Sequence, residues 1–294
     1  MDKYQQAVKI WQDWNIRTVA DLELHLESFR VLFAYHSGKI ENDAITYSDT
    51  REVFENGRVS GFNGSPRTLF EVHNQKVCYE FLKEKIIQRE PITTSLLLEV
   101  HRTLTSGTFD EHRYIDNGER PGQFKRHDYV TGIHEVGAFP EDVPQQVEEL
   151  LQELEQSGRQ NPLLAAAYFH AALENIHPFA DGNGRVGRTM MNYWLMINNY
   201  PPLVVHEENR RDYYGALQHY DETEDLAPLV SFLQAETVQT WSRQMPELAH
   251  DKPQRSTRRS LDNICAEAAA RATEINGQLQ THDLTPQKQE PDLN

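Results

Sequence analysis

His177-Pro178-Phe179-Ala180-Asp181-Gly182-Asn183-Gly184-Arg185-Val186-Gly187-Arg188 is the stretch that decides how this chain is read. It holds an imidazole, a carboxylate, an asparagine between two glycines, and two arginines. Gly182 and Gly184 let main-chain N–H groups approach an anion, and the apolar run from Met190 predicts a helix beginning just behind them. A helix N-terminus adds unpaired N–H donors and a dipole that favours phosphate. Arg185 and Arg188 are three apart, so they share a helix face and can reach neighbouring phosphates with planar, permanently charged forks. Asp181 suits a divalent ion held against the same phosphates, and His177 is placed to take a proton. The stretch is equipped to handle a polyphosphate.

The flanks predict helices. Residues 162–173 are rich in strong helix formers and contain no β-branched residue. This removes a rival reading. Residues 182–187 satisfy G-x-G-x-x-G, and Glu207 lies near the offset of a ribose-binding acid, but a dinucleotide fold needs a strand leading into the first glycine. Residues 189–199 are nearly all apolar, which predicts a buried helix. The anion-binding turn would then stand on the end of a central, rigid element. Asn192 falls one turn past Arg188 on the same face.

Every fixed position of the stretch matches the signature H-x-F-x-[D/E]-G-N-G-R-x-x-R, and the chain resembles the Fic family. The resemblance implies an all-α fold, a Fic-type helical core with a small β-hairpin flap near the active site. It implies a protein adenylyltransferase that moves AMP from ATP to a Ser, Thr or Tyr hydroxyl of a target protein. His177 would be the general base, and Asp181 would position Mg²⁺ or Mn²⁺. Main-chain donors of Gly182, Asn183 and Gly184 would stabilise phosphate charge, with Arg185 and Arg188 on the β- and γ-phosphates. Phe179 would anchor the loop.

Two further segments carry the resemblance. Ser37-Gly38-Lys39-Ile40-Glu41-Asn42 resembles the family's inhibitory motif, [S/T]-x-x-x-E-[G/N], followed by the apolar-Thr pair Ile45-Thr46. Ser37 and Glu41 are four apart and share a helix face, and a carboxylate is the natural partner of an arginine fork. In the family such a glutamate pairs with the second signature arginine, here Arg188, and holds the enzyme off. Gly38 within that helix would ease its release. Residues 120–134 resemble the flap, with Lys125 in place of the usual arginine. There Gly122, Phe124, Lys125, Val130 and Gly132 would hold a target segment as an added strand.

Residues 200–205 and 210–217 resemble the family's continuation. Tyr213 and Tyr214 offer aromatic faces for adenine, or for the core. Asp221 stands where many relatives place an asparagine. The resemblance covers roughly 35–245, and three regions are expected: 1–60, helical, with the inhibitory motif; 61–245, the catalytic core; and 246–294, a linker and amphipathic tail.

Within those regions, 1–36 reads as helical, 69–87 and 94–104 as core helices capped near Ser65 and at Thr93 or Thr94, and 144–154 and 226–241 as two more.

The chain of 294 residues has a formal net charge of −16 and 38% hydrophobic residues, a sequence pI near 5.2 and a mean hydropathy of −0.69. So acidic a chain repels nucleic acid and anionic membrane, and neither is expected as a partner. Cys78 and Cys265 are too few for a disulfide framework or a thiolate metal site. Residues 1–6 carry no signal-peptide apolar region and no run is long enough to span a bilayer, so a cytoplasmic protein is expected. The expected partners are ATP and a protein bearing an accessible hydroxyl, with self-modification and a homodimer also open. Three alternatives stand beside transfer of AMP: removal of AMP from a modified target, transfer of another group, and a nucleotide-sensing interaction module.

Overall fold

The computed structural model describes residues 1–59, 61–62, 64–129 and 137–249. Residues 1–248 form one compact unit, and 249–294 are a second. Among the described residues of the first unit the regular structure is helical, with ten α-helices and no strand.

The N-terminal segment is two helices rather than one. α1 (Lys3–Asp13) is closed by a capping box at Asp2. The chain then turns at Asn15, where φ is +51°. Thr18 opens α2 (Val19–Glu41) with a second capping box, its hydroxyl accepting from the Asp21 N–H. Trp11 and Trp14 both pack edge-on against Trp241, at 5.4 and 5.5 Å between ring centroids, and Phe29 of α2 stacks on the same ring at 5.8 Å. Aromatic burial around Trp241, at the end of the helix Ala227–Trp241, thus fixes the first two helices.

α3 (Tyr47–Asn56) leads to α4 (Pro66–Gln88), where Ser65 caps the first turn and Pro66 occupies a position whose N–H needs no partner. Thr93 caps α5 (Thr94–Thr105). α6 (Val143–Ser157) turns Val143, Val147, Leu150, Leu151 and Leu154 to the core. α7 (Pro162–Ile176) follows, capped by Asn161. α8 (Asn183–Ile197) is buried along nearly its whole length, packing against α7, α4, α5 and α2. A helix enclosed on this many sides needs apolar residues all round, and Met190, Met191, Tyr193, Trp194 and Leu195 supply them. α9 (Arg210–Thr223) and α10 (Ala227–Trp241) close the unit. Among the described residues no helix is long and apolar enough to cross a membrane.

Candidate active site

The signature joins α7 to α8. His177 ends α7 with φ at +50°, in the left-handed region, and its N–H bonds the Leu173 carbonyl. The loop that follows is braced from within: the Asn183 amide accepts from the Phe179 N–H at 2.9 Å and donates to the Phe179 carbonyl at 2.8 Å. Phe179 is wholly buried and stacks on His101 of α5, centroids 3.8 Å apart. It is the anchor that the sequence suggested.

Gly182 caps α8 at φ +87°, a conformation that disfavours any side chain, and no side chain caps the helix. The first turn therefore keeps the unpaired N–H groups that suit an anion. A Cβ built on Gly184 would lie 2.3 Å from Glu41 Oε1 and 2.8 Å from Arg188 Nη1. The Glu41 carboxylate thus rests against the first turn of α8, in the place an anion would take.

Arg188 is 1% exposed, and three of its hydrogen bonds go to α2. Nε donates to Ser37 Oγ at 3.1 Å, and Nη2 donates to the Ser37 carbonyl at 2.9 Å and to Glu41 Oε1 at 2.7 Å. Gly38 has a reason of its own in this helix: a Cβ there would lie 2.7 Å from the Ile45 side chain. The helix end is held a second time through Asn42, which donates to Glu71 Oε2 at 2.7 Å and to Thr68 Oγ1 at 3.1 Å.

Asp181 lies between two arginines, one of them outside the signature. Arg67 of α4 donates to Oδ2 at 2.7 Å and Arg185 to Oδ1 at 3.1 Å. Glu71, 4% exposed, accepts from Arg67 at 3.0 Å and lies 3.6 Å from Arg185. Arg185 Nε and Nη1 are buried without a hydrogen-bond acceptor among the described residues. Two orphaned N–H donors of a permanent cation are what an arriving phosphate would satisfy.

His101 ties the loop to the segment before it. Its Nδ1 accepts from the Gly122 N–H at 2.9 Å, and Nε2 lies 3.1 Å from the Asp181 carbonyl, so the proton is assigned to Nε2. Burial pushes its pKa down to about 3, which keeps the ring neutral in that role.

His177 is pushed down to about 4, first by burial and then by the Lys125 ammonium, so it is a neutral imidazole at pH 7. Its ring also hydrogen-bonds the Glu174 main chain, which leaves the other nitrogen as an acceptor. Lys125 is 2% exposed, its own pKa lowered by burial. Gly137, whose Cβ would lie 2.7 Å from His177 Cβ and 3.1 Å from Lys125 Nζ, joins the two.

The expected β-hairpin flap is not seen among the described residues. Residues 120–129 run as turns without a strand. The Lys125 N–H bonds the Pro178 carbonyl at 2.9 Å, and Phe124 lies 5.9 Å from Phe179. Val130 and Gly132 fall outside the described residues.

Two expected nucleotide contacts are otherwise employed. Asn192 accepts from the Leu203 N–H and donates to the Leu203 carbonyl, both at 2.8 Å, so its amide fixes the chain after α8. Tyr213 has no exposed surface, and its hydroxyl lies 2.6 Å from His170 Nε2 and 3.4 Å from Arg188 Nη1. Its face is core; its hydroxyl backs the site. Tyr214 remains 45% exposed. Asp221 accepts from Asn175 Nδ2 at 3.2 Å.

The model of the Fic/DOC family matches residues 91–195. This is a Fic-domain protein. The chain is 33% identical over 202 residues to the protein adenylyltransferases Fic of Drosophila persimilis and Drosophila mojavensis, a match covering 68% of this chain and 37% and 38% of theirs. The chain thus spans well under half the length of these curated relatives. Among solved structures, a Fic-domain-containing signalling protein from Bacteroides thetaiotaomicron superposes with a TM-score of 0.72 at 25% identity, covering 85% of this chain and 98% of that one. A Fic-1 fragment from C. elegans gives 0.69 at 24% identity, covering 85% and 73%. The Fic-domain relatives share the all-α architecture found here.

Proposed function

We propose that the chain is a protein adenylyltransferase that moves AMP from ATP to a hydroxyl of a protein, held off by Glu41. The observation that carries this reading is the anion cradle itself: an α8 N-terminus with no side-chain cap, Arg185 donors with no hydrogen-bond acceptor among the described residues, and Arg188 held by the Glu41 carboxylate.

His177, neutral at physiological pH, takes the proton of the target hydroxyl through its free ring nitrogen. The hydroxyl oxygen bonds the α-phosphorus as the bond from that phosphorus to the bridging oxygen breaks. AMP is left on the target as an ester, and pyrophosphate departs with the electron pair. Main-chain N–H groups of Gly182, Asn183 and Gly184 stabilise charge gathering on the α-phosphate. Arg185 and Arg188 hold the leaving phosphates.

Among the described residues no three His, Cys, Asp or Glu side chains gather as a metal site. A lone carboxylate nevertheless fits Mg²⁺, which keeps water and substrate phosphates as its other ligands. Asp181, 16% exposed, would hold it in place of its 2.7 Å contact with Arg67, and the bound ion would neutralise phosphate charge.

Glu41 opposes ATP in two ways. It takes the Arg188 fork, and it places a negative charge at the helix N-terminus where phosphate belongs. Transfer of label from α-labelled ATP to protein, dependent on His177, tests the reading.

A further inference from the structure

Arg188 has hydrogen-bond partners from two elements. Ser37 Oγ, the Ser37 carbonyl and Glu41 all belong to α2. Outside α2, Arg188 donates a hydrogen bond to the Tyr213 hydroxyl of α9, 3.4 Å from Nη1, and the Glu174 carboxylate of α7 adds its charge. When α2 withdraws, as the proposed function requires, three of these contacts go with it. A long side chain would then lose three of its four hydrogen bonds, at the moment its fork must meet a phosphate.

We propose that Tyr213, backed by His170, is a positioning residue that keeps the Arg188 guanidinium aimed after α2 has left. The proposal rests on the transferase reading and deepens it. The Tyr213 ring lies under the guanidinium, 6.0 Å from centroid to carbon, and is wholly buried. Its hydroxyl meets His170 Nε2 at 2.6 Å, and the two rings stack within 13° of parallel. His170 is wholly buried, and burial keeps it neutral. The tyrosine hydroxyl can therefore donate to Nε2 and turn its lone pairs toward Nη1.

His170 Nδ1 has no hydrogen-bond partner in the described structure. A phenylalanine would fill the same space without burying an unpartnered nitrogen. What the imidazole adds is the acceptor that orients the Tyr213 hydroxyl. Serine and glutamate from α2 then serve the closed state, and Tyr213 serves both.

The test is equilibrium binding of ATP and of AMP, with KM and kcat, in the Glu41→Gly protein with and without Tyr213→Phe. Loss of one hydrogen bond to a charged group predicts about a tenfold weaker ATP affinity and an equal rise in the KM for ATP. The kcat should stay within about twofold and AMP affinity should not change, because Arg188 acts on the terminal phosphates. His170→Gln, which still offers an acceptor, should stay nearer the parent than His170→Phe. Unchanged ATP affinity in Tyr213→Phe, or an equal loss for AMP and ATP, would overturn the proposal. The expected affinities without any transfer would support the positioning role while overturning the transferase reading.

Discussion

Glu41 and Arg188, 147 residues apart in the chain, meet at 2.7 Å across the first turn of α8. The arginine is 1% exposed and the glutamate 35%. The pair is therefore half-screened, and its loss should cost well under the ~3–5 kcal/mol of a fully buried pair broken on one side. Glu41→Gly should lower folding stability by about 1 kcal/mol, read as a small drop in the unfolding midpoint. A loss of several kcal/mol would make the contact structural rather than regulatory.

The base should need no alkaline activation. With the His177 pKa lowered to about 4, the neutral form prevails above that pH and is lost below it. In the Glu41→Gly protein, kcat/KM should be flat near neutrality and fall on an acid limb no higher than about pH 4, because Glu41 is one of the charges that raise the His177 pKa. Lys125→Met removes the second cause of the lowered pKa and should move the limb upward. A limb that stays put would separate the ammonium from the base. His177→Ala should lose about 10²- to 10⁴-fold of the rate at every pH.

Asn42 supplies the second hold on α2. Asn42→Asp sets a carboxylate against Glu71, in place of a 2.7 Å hydrogen bond. The like charges should free the helix end and raise transfer severalfold where Glu41 is present. In the Glu41→Gly background the same change should do nothing. Faster amide exchange over 34–42 gives a readout independent of activity.

Gly184 should tolerate no side chain. A methyl group there would meet the Glu41 carboxylate and the Arg188 fork, and would fill the space an anion needs. Gly184→Ala should therefore weaken ATP binding even when Glu41 is replaced by glycine. Full ATP affinity in that double variant would move the anion site off the first turn of α8.

The fold should weaken in acid. His101 and His170 are held near pKa 3 by burial, against about 6.5 in an unfolded chain. Between those values the unfolded chain binds more protons, so stability is complete above about pH 6.5 and falls as pH drops toward 3. Thermal midpoints measured across that window should decline, and His101→Gln should make the decline shallower.

How much of this was legible in the sequence depended on whether partners lay close along the chain. The signature was legible because its turn and the cap of α8 are local, and Ser37 and Glu41 because one helix turn separates them. Arg67 and Glu71 were not. Four apart on a helix, they look like an ordinary surface ion pair, and only the packing of α4 on α8 brings Arg67 to Asp181 and Glu71 to Arg185. His101 lies among apolar residues of α5 and reads as core until the loop bonded to it is seen. Tyr213 and Tyr214 are neighbours about 100° apart on α9, so one had to face inward, and the choice was made by α7 behind it. The break at Asn15 was missed because a helical apolar pattern resumes so soon after Thr18 that the two helices look like one.

The most direct measurement of the central claim is incubation of three proteins with α-labelled ATP and Mg²⁺: the parent chain, Glu41→Gly, and Glu41→Gly with His177→Ala. The account predicts label on protein, self-modification included, with the single variant alone, at about 10- to 100-fold above the parent. Label absent from all three would contradict AMP transfer as the activity, and label equal in parent and single variant would contradict the hold that Glu41 places on Arg188.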